Sequence, residues 1–230
     1  MYEGHWRLKR PPFGSDRNIE SFFPANTHHD AMLKLRYLIE HRRGLGLLVG
    51  ATGVGKTRLL DALVQPYQQA SIPVVTVHYP MMTSVELLTY VGNKLAGDAV
   101  ESRATHVDVA LARLEYWLRK MASQNRFPII VIDDAQAITD KSVLQSLQLL
   151  MNYQHTDGME FTLILAGHPE LVASVKRLPQ LEDRVSMTCV LQPMSLAETK
   201  AYIGHRLHAV GGTRQIFSAA AMTVIPELSG

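Results

Sequence analysis

The apolar run Leu45-Gly46-Leu47-Leu48-Val49 leads directly into Gly50-Ala51-Thr52-Gly53-Val54-Gly55-Lys56-Thr57, which meets the pattern G-x-x-x-x-G-K-[ST] at every fixed position. No other feature of the chain limits its fold as tightly, because the pattern demands a strand, a tight loop and a helix in that order. Glycines at 50, 53 and 55 open a backbone path closed to residues with a Cβ, so that main-chain N–H groups can converge on phosphate oxygens. Lys56 brings a mobile positive charge for the outer phosphates and Thr57 a hydroxyl for Mg²⁺. A helix starting near Lys56 aims its positive dipole end at the anion. Gly50, Ala51, Thr52, Gly53, Val54, Gly55, Lys56, Thr57 and the following Arg58 form the expected nucleotide-binding set, with a nucleoside triphosphate and Mg²⁺ as its ligands.

Around this loop, strand signals alternate with helical ones. Apolar runs at 45–49, 74–79, 127–132, 161–166 and 187–191 are separated by helical patterns at 56–70, 85–95, 106–123 and 141–153. Strands that are apolar throughout and joined by helical crossovers predict an α/β fold with a parallel sheet covered on both faces. A helix capped by Asn26 or Thr27 is expected to run to about Arg43, after an irregular Pro-containing opening around Pro11-Pro12-Phe13-Gly14. Thr83-Ser84-Val85-Glu86 and Ser195-Leu196-Ala197-Glu198 each fit a capping box. Past Pro193 the pattern turns wholly helical, so the division expected is an α/β core over 1–192 and a small helical appendage over 193–230.

A second apolar strand, Phe127-Pro128-Ile129-Ile130-Val131-Ile132, ends in Asp133-Asp134. A carboxylate at the end of a buried strand is costly unless a cation stands near it, so Asp133 is the expected Mg²⁺ partner. Asp134 is the candidate to orient and deprotonate an attacking water. The strand at 161–166 ends in Gly167-His168-Pro169, where His168 reads either as a polar sensor of the outer phosphate or as a neutral histidine opening a helix. Arg184 reads either as an arginine reaching the γ-phosphate of a neighbouring subunit or as a surface partner of Glu182 or Asp183.

Composition narrows the remaining classes. No apolar run approaches the ~18 residues of a bilayer-crossing helix, and the N-terminus lacks the basic-then-apolar order of a secretory signal, so a cytoplasmic chain without membrane insertion is expected. With 23 basic and 21 acidic side chains, the charge is too balanced to argue for nucleic acid. The local groups Arg7, Lys9, Arg10 and His41, Arg42, Arg43 read as solvated faces, the second favoured at a helix C-terminus. The single cysteine, Cys189, lies in a strand-like run and reads as an inert buried thiol. His28-His29-Asp30 lacks the spacing of a metal site, and Met81-Met82 reads as core filler.

Several segments together carry a family likeness. Met1-Tyr2-Glu3 with Pro12-Phe13-Gly14, His29 to Glu40, Asp133-Asp134-Ala135-Gln136, Gly167-His168-Pro169-Glu170-Leu171 and Tyr202 to Leu207 resemble the ExeA/GspA group of AAA+ ATPases over nearly the whole chain. The resemblance implies a five-stranded sheet in the order 5-1-4-3-2, a helical lid beginning at 193–230, and homo-oligomers with ATP sites at subunit interfaces. It also implies hydrolysis of ATP to ADP and phosphate in the assembly of secretion or envelope machinery. The alternatives are a DNA-linked transposition regulator similar to TniB and MuB, and an ATP-gated scaffold with little hydrolysis. Three departures stand out: Asp134 occupies a position where the family has Glu, His168 one where it has Gln, and a lid arginine expected after Ser229-Gly230 falls outside the sequence. From these, a fragment that binds nucleotide better than it hydrolyses it is expected.

Overall fold

Ile129-Ile130-Val131-Ile132 offers no polar face, so it can lie only where both sides of a sheet are covered. A computed structural model describes residues 2–14, 21–42, 44–97, 104–156, 159–212 and 216–229. Its strands are β1 (Leu45–Gly50), β2 (Val74–Val77), β3 (Ile129–Ile132), β4 (Thr162–Gly167) and β5 (Val185–Leu191). All pair in parallel, in the order β2-β3-β4-β1-β5, which is the order the resemblance implies. The three inner strands are buried along their whole length, whereas β2 and β5 at the edges show the partial exposure of strands covered less completely.

The chain divides into two compact units, Asp30–Leu191 and a second made of Met1–His29 with Gln192–Gly230. In the first, α3 (Lys56–Gln69), α4 (Ser84–Ala96), α5 (Val107–Ser123) and α6 (Lys141–Thr156) alternate with the strands, and two short helices, α7 (Glu170–Lys176) and α8 (Pro179–Glu182), precede β5. Its largest apolar cluster joins Leu47, Ile130, Ile132, Phe161 and Leu165 of the sheet region to Leu87, Leu114 and Leu147 of α4, α5 and α6. On β1, Gly46 lets a further helix lie close: a Cβ there would come within 2.6 Å of Leu38 Cδ2 and 3.2 Å of Leu35 Cδ2. Both leucines belong to α2 (Asn26–Glu40) and are fully buried.

Several strand ends differ from expectation, β2 and β5 most informatively. β2 stops at Val77, whose carbonyl accepts the Asp133 N–H (2.9 Å), and Tyr79, expected within it, is 64% exposed. β5 begins two residues early because Val185 pairs with Leu45, and the Leu45 N–H reaches the Arg184 carbonyl (3.3 Å).

The second unit is drawn differently from the expected division. Residues 1–29, assigned by sequence to the core, group instead with the C-terminal helices α9 (Leu196–Ala209) and α10 (Ala219–Ser229). Buried Arg206 on α9 explains this, because its guanidinium donates to the carbonyls of Pro12 and Gly14, and the Lys9 N–H bonds the Val210 carbonyl (2.9 Å). Within the opening segment, Tyr2–Trp6 forms a short helix, α1, ahead of the stretch from Pro11 to Gly14, which is irregular as expected.

Both capping boxes form. Thr83 Oγ1 accepts the Glu86 N–H while Glu86 Oε2 accepts the Thr83 N–H (2.8 Å), and Ser195 and Glu198 repeat the arrangement. The cap expected from Asn26 or Thr27 is replaced by a distant group: Asn26 is already helical, and its N–H donates to Glu198 Oε1 (2.8 Å). Bonds from the Ser195 hydroxyl, then from the Asn26 and Ser195 amides, hold the Glu198 carboxyl below the usual carboxylate range. Helix α2 ends at Glu40, short of Arg43, which lies outside the described residues. Arg42 is no free cation: its guanidinium sits over the Phe127 ring (3.2 Å to the centroid) and pairs with Glu160.

Candidate functional site

In a parallel sheet every strand delivers its C-terminal end to the same edge, and loops leaving neighbouring strands meet there. At that edge β1 runs into the glycine loop, β3 into Asp133-Asp134 and β4 into His168. The loop has the backbone its glycines allow. Gly53 and Gly55 have φ of 82° and 91°, the left-handed region, and Gly55 flanks the first turn of α3. At Gly50 a Cβ would fall 2.8 Å from Val54 Cγ2 and 2.9 Å from the Leu191 carbonyl oxygen, so the loop closes tightly only on a glycine.

Lys56 is buried, 7% exposed, and its Nζ donates to the carbonyls of Gly50 (2.9 Å) and Ala51 (2.8 Å). Burial depresses the Lys56 pKa below the ordinary lysine value, while the negative charges of Asp134 and Asp133 oppose the shift. Beside it the Thr57 hydroxyl donates to Asp133 Oδ2 at 2.6 Å. Asp133 is 3% exposed, and its Oδ1 accepts the Asp134 N–H at 3.0 Å. A buried carboxylate partnered by one hydroxyl and one amide keeps oxygen lone pairs for a further electropositive group.

Asp134 projects into solvent from a left-handed backbone, φ 51° and ψ 36°, at the start of the 3-10 turn Ala135–Ala137. Its Oδ1 accepts from Gln136 Nε2 (3.1 Å), and Gln136 Oε1 accepts the His168 N–H (3.0 Å). The His168 ring closes the arrangement, with Nε2 at 3.0 Å from Thr52 Oγ1 in the glycine loop. Ala51 and Val54 lie within the loop, and Arg58 is half-buried in the first turn of α3.

Thus Gly50 to Thr57, Asp133, Asp134 and His168 converge. Arg184 does not: it precedes β5 at the opposite edge of the sheet, about 20 Å from the loop at the strand rise of ~3.3 Å per residue. Its guanidinium donates to Asn152 Oδ1 on α6 at 3.1 Å. Gln136, read in the sequence only as part of the segment Asp133 to Gln136, here bridges Asp134 and the His168 amide.

The residues fit a nucleoside triphosphate with Mg²⁺. The glycine cradle admits no Cβ at Gly50, a buried lysine waits on loop carbonyls, and the Thr57–Asp133 pair is the hydroxyl-plus-carboxylate set that Mg²⁺ takes alongside phosphate oxygens. Among the described residues no group of three or more His, Cys, Asp or Glu could hold a metal by itself.

Comparison with known proteins bears on the fold and the family. Over 232 aligned residues, all of the chain, the sequence is 27% identical to General secretion pathway protein A of Aeromonas hydrophila, of which it spans 42%. Among solved structures, Cdc6p from Pyrobaculum aerophilum superposes with a TM-score of 0.73 at 16% identity, covering 98% of this chain and 58% of that one. The Aeropyrum pernix ORC2 protein in its ADPNP-ADP complexes gives 0.67 at 13% identity, covering 87% and 56%. The chain therefore spans less than two thirds of each of these relatives. A family model described as AAA domain matches residues 39–174, more than half of the sequence, and the chain belongs to that family of ATP-binding P-loop ATPases.

Proposed function

We propose that the chain binds Mg-ATP at the C-terminal edge of its sheet and hydrolyses it to ADP and phosphate. The observation that carries this reading is the 2.6 Å contact between Thr57 and Asp133, which sets the loop hydroxyl and the strand carboxylate side by side next to Lys56. Bound Mg²⁺ would neutralise charge on the phosphate oxygens. Lys56 would exchange its two loop carbonyls for outer phosphate oxygens, and Thr57 and Asp133 would hold the metal. Asp134, exposed and close by, orients a water and accepts its proton as the water oxygen bonds to the γ-phosphorus and the bridging P–O bond breaks toward ADP. His168 supplies a polar contact between loop and carboxylate strand.

The likeness to General secretion pathway protein A supports a part in secretion, and we extend it to ATP-driven assembly of an envelope machine by a cytoplasmic homo-oligomer. In that assembly Arg184, remote from the loop of its own chain, serves a neighbouring subunit's site, and the helices from residue 193 onward begin a lid. No helix among the described residues is long and apolar enough to cross a membrane. The test is calorimetric titration with Mg-ATP. Lys56→Ala should weaken affinity by roughly tenfold or more, the value of one lost charge-assisted bond to phosphate. Unchanged affinity would overturn the reading.

A further inference from the structure

We propose that Gln136 is the positioning residue for Asp134, and that Thr52, His168, Gln136 and Asp134 form one continuous link from the phosphate loop to the water-activating carboxylate. The inference rests on the hydrolytic reading above. Asp134 occupies an exposed left-handed position, where neither burial nor regular helix geometry constrains its side chain. The Gln136 amide supplies that constraint. A backbone N–H can only donate and a carboxylate can only accept, so the bonds to the His168 N–H (3.0 Å) and to Asp134 Oδ1 (3.1 Å) are satisfied together by one amide orientation and not by its flip.

The space for that amide is made by a glycine. At Gly167 a Cβ would lie 2.5 Å from Gln136 Oε1 and 3.1 Å from the Gln136 backbone nitrogen. His168 then carries two connections on one residue: its main chain holds Gln136, and its ring meets Thr52 Oγ1 in the loop (3.0 Å). Occupation of the loop that moves Thr52 is thereby felt at Asp134 through a single intervening side chain and the residue that anchors it. All five residues belong to the Asp30–Leu191 unit, so the link is internal to it.

Two substitutions in the full chain separate positioning from mere support. Gln136→Met keeps the shape and removes both bonds. Gln136→Glu keeps an acceptor for the His168 N–H but turns a second oxygen on Asp134, where like charges repel. With Mg-ATP affinity and melting temperature close to those of the unaltered chain, kcat should fall roughly ten- to a hundredfold in Gln136→Met, the scale set by misplacing a reacting group by about 1 Å. It should fall at least as far in Gln136→Glu. Recovery of kcat in Gln136→Glu, or a loss confined to KM, would overturn the proposal and reduce Gln136 to a support for His168. If Gln136→Met loses its fold, Gly167→Ala carries the same test, because its methyl displaces the amide without removing it; an unchanged kcat there would equally overturn it. Absence of turnover in the unaltered chain is a different result, which removes the hydrolytic reading itself.

Discussion

A buried lysine beside the glycine loop is in an unfavourable place for its charge. Burial lowers the Lys56 pKa from 10.5, and nearby Asp134 and Asp133 only oppose the shift. Folding therefore favours the uncharged amine, so this group's contribution to stability grows as pH rises through the lowered value toward 10.5 and is absent well below it. Phosphate reverses the balance, because anionic oxygens favour the ammonium. Binding of Mg-ATP at a pH between the lowered value and 10.5 should consequently take up protons. Titration in two buffers of different ionisation enthalpy reads that uptake directly, and it should vanish in Lys56→Met. Asp134 illustrates a second residue-scale conflict. The resemblance implies Glu at its position, which reaches further toward a water, whereas φ of 51° favours the short polar side chain that can bond its own backbone. Reach and backbone hand pull in opposite directions there.

Elements report how far local chemistry reaches. The glycine loop with its strand and helix, β3 with its carboxylates, and both capping boxes were legible in the sequence, since each is complete within about ten residues. The start of α2 was not legible: the group that receives the Asn26 N–H is Glu198, which is 172 positions away. The bonds of Gln136 were not legible for the same reason, as its partner amide sits at His168, just past another strand. Short helices such as α1 lie below the length at which periodicity speaks. The capping box of α4 yields a test. Thr83→Ala removes the hydroxyl that accepts the Glu86 N–H, and should cost on the order of 1 kcal/mol. The Glu86 carboxyl is held below 4.5 by the Thr83 backbone and hydroxyl, so it stabilises the fold above that value and the effect is lost as pH falls through the lowered one. Thermal melts of the two chains from neutral to acid pH should draw closer as Glu86 protonates, since the Thr83 hydroxyl then loses its carboxylate partner, and keep the gap due to the Glu86 N–H bond.

At the scale of the whole molecule, one thiol reports on the sheet. Cys189 is the only cysteine, is 2% exposed on the edge strand β5, and has its pKa pushed above 9.0 by burial, with Lys34 opposing. In the unfolded chain the thiol ionises first, so its contribution to stability falls as pH rises past 9.0. A thiol reagent should leave the native chain unlabelled and modify it in urea at the rate at which the sheet signal is lost; rapid labelling without denaturant would contradict the burial of β5 against β1. The strand order has one more consequence, which concerns time. β1 and β3 carry the two halves of the nucleotide site, yet they are not neighbours, and β4 joins them although it is made after both. A nascent chain that has reached residue 160 already contains the glycine loop and both aspartates, but no strand holds them together. On the ribosome, nucleotide binding must wait until the segment ending at Gly167 has emerged and inserted itself between strands synthesised long before it.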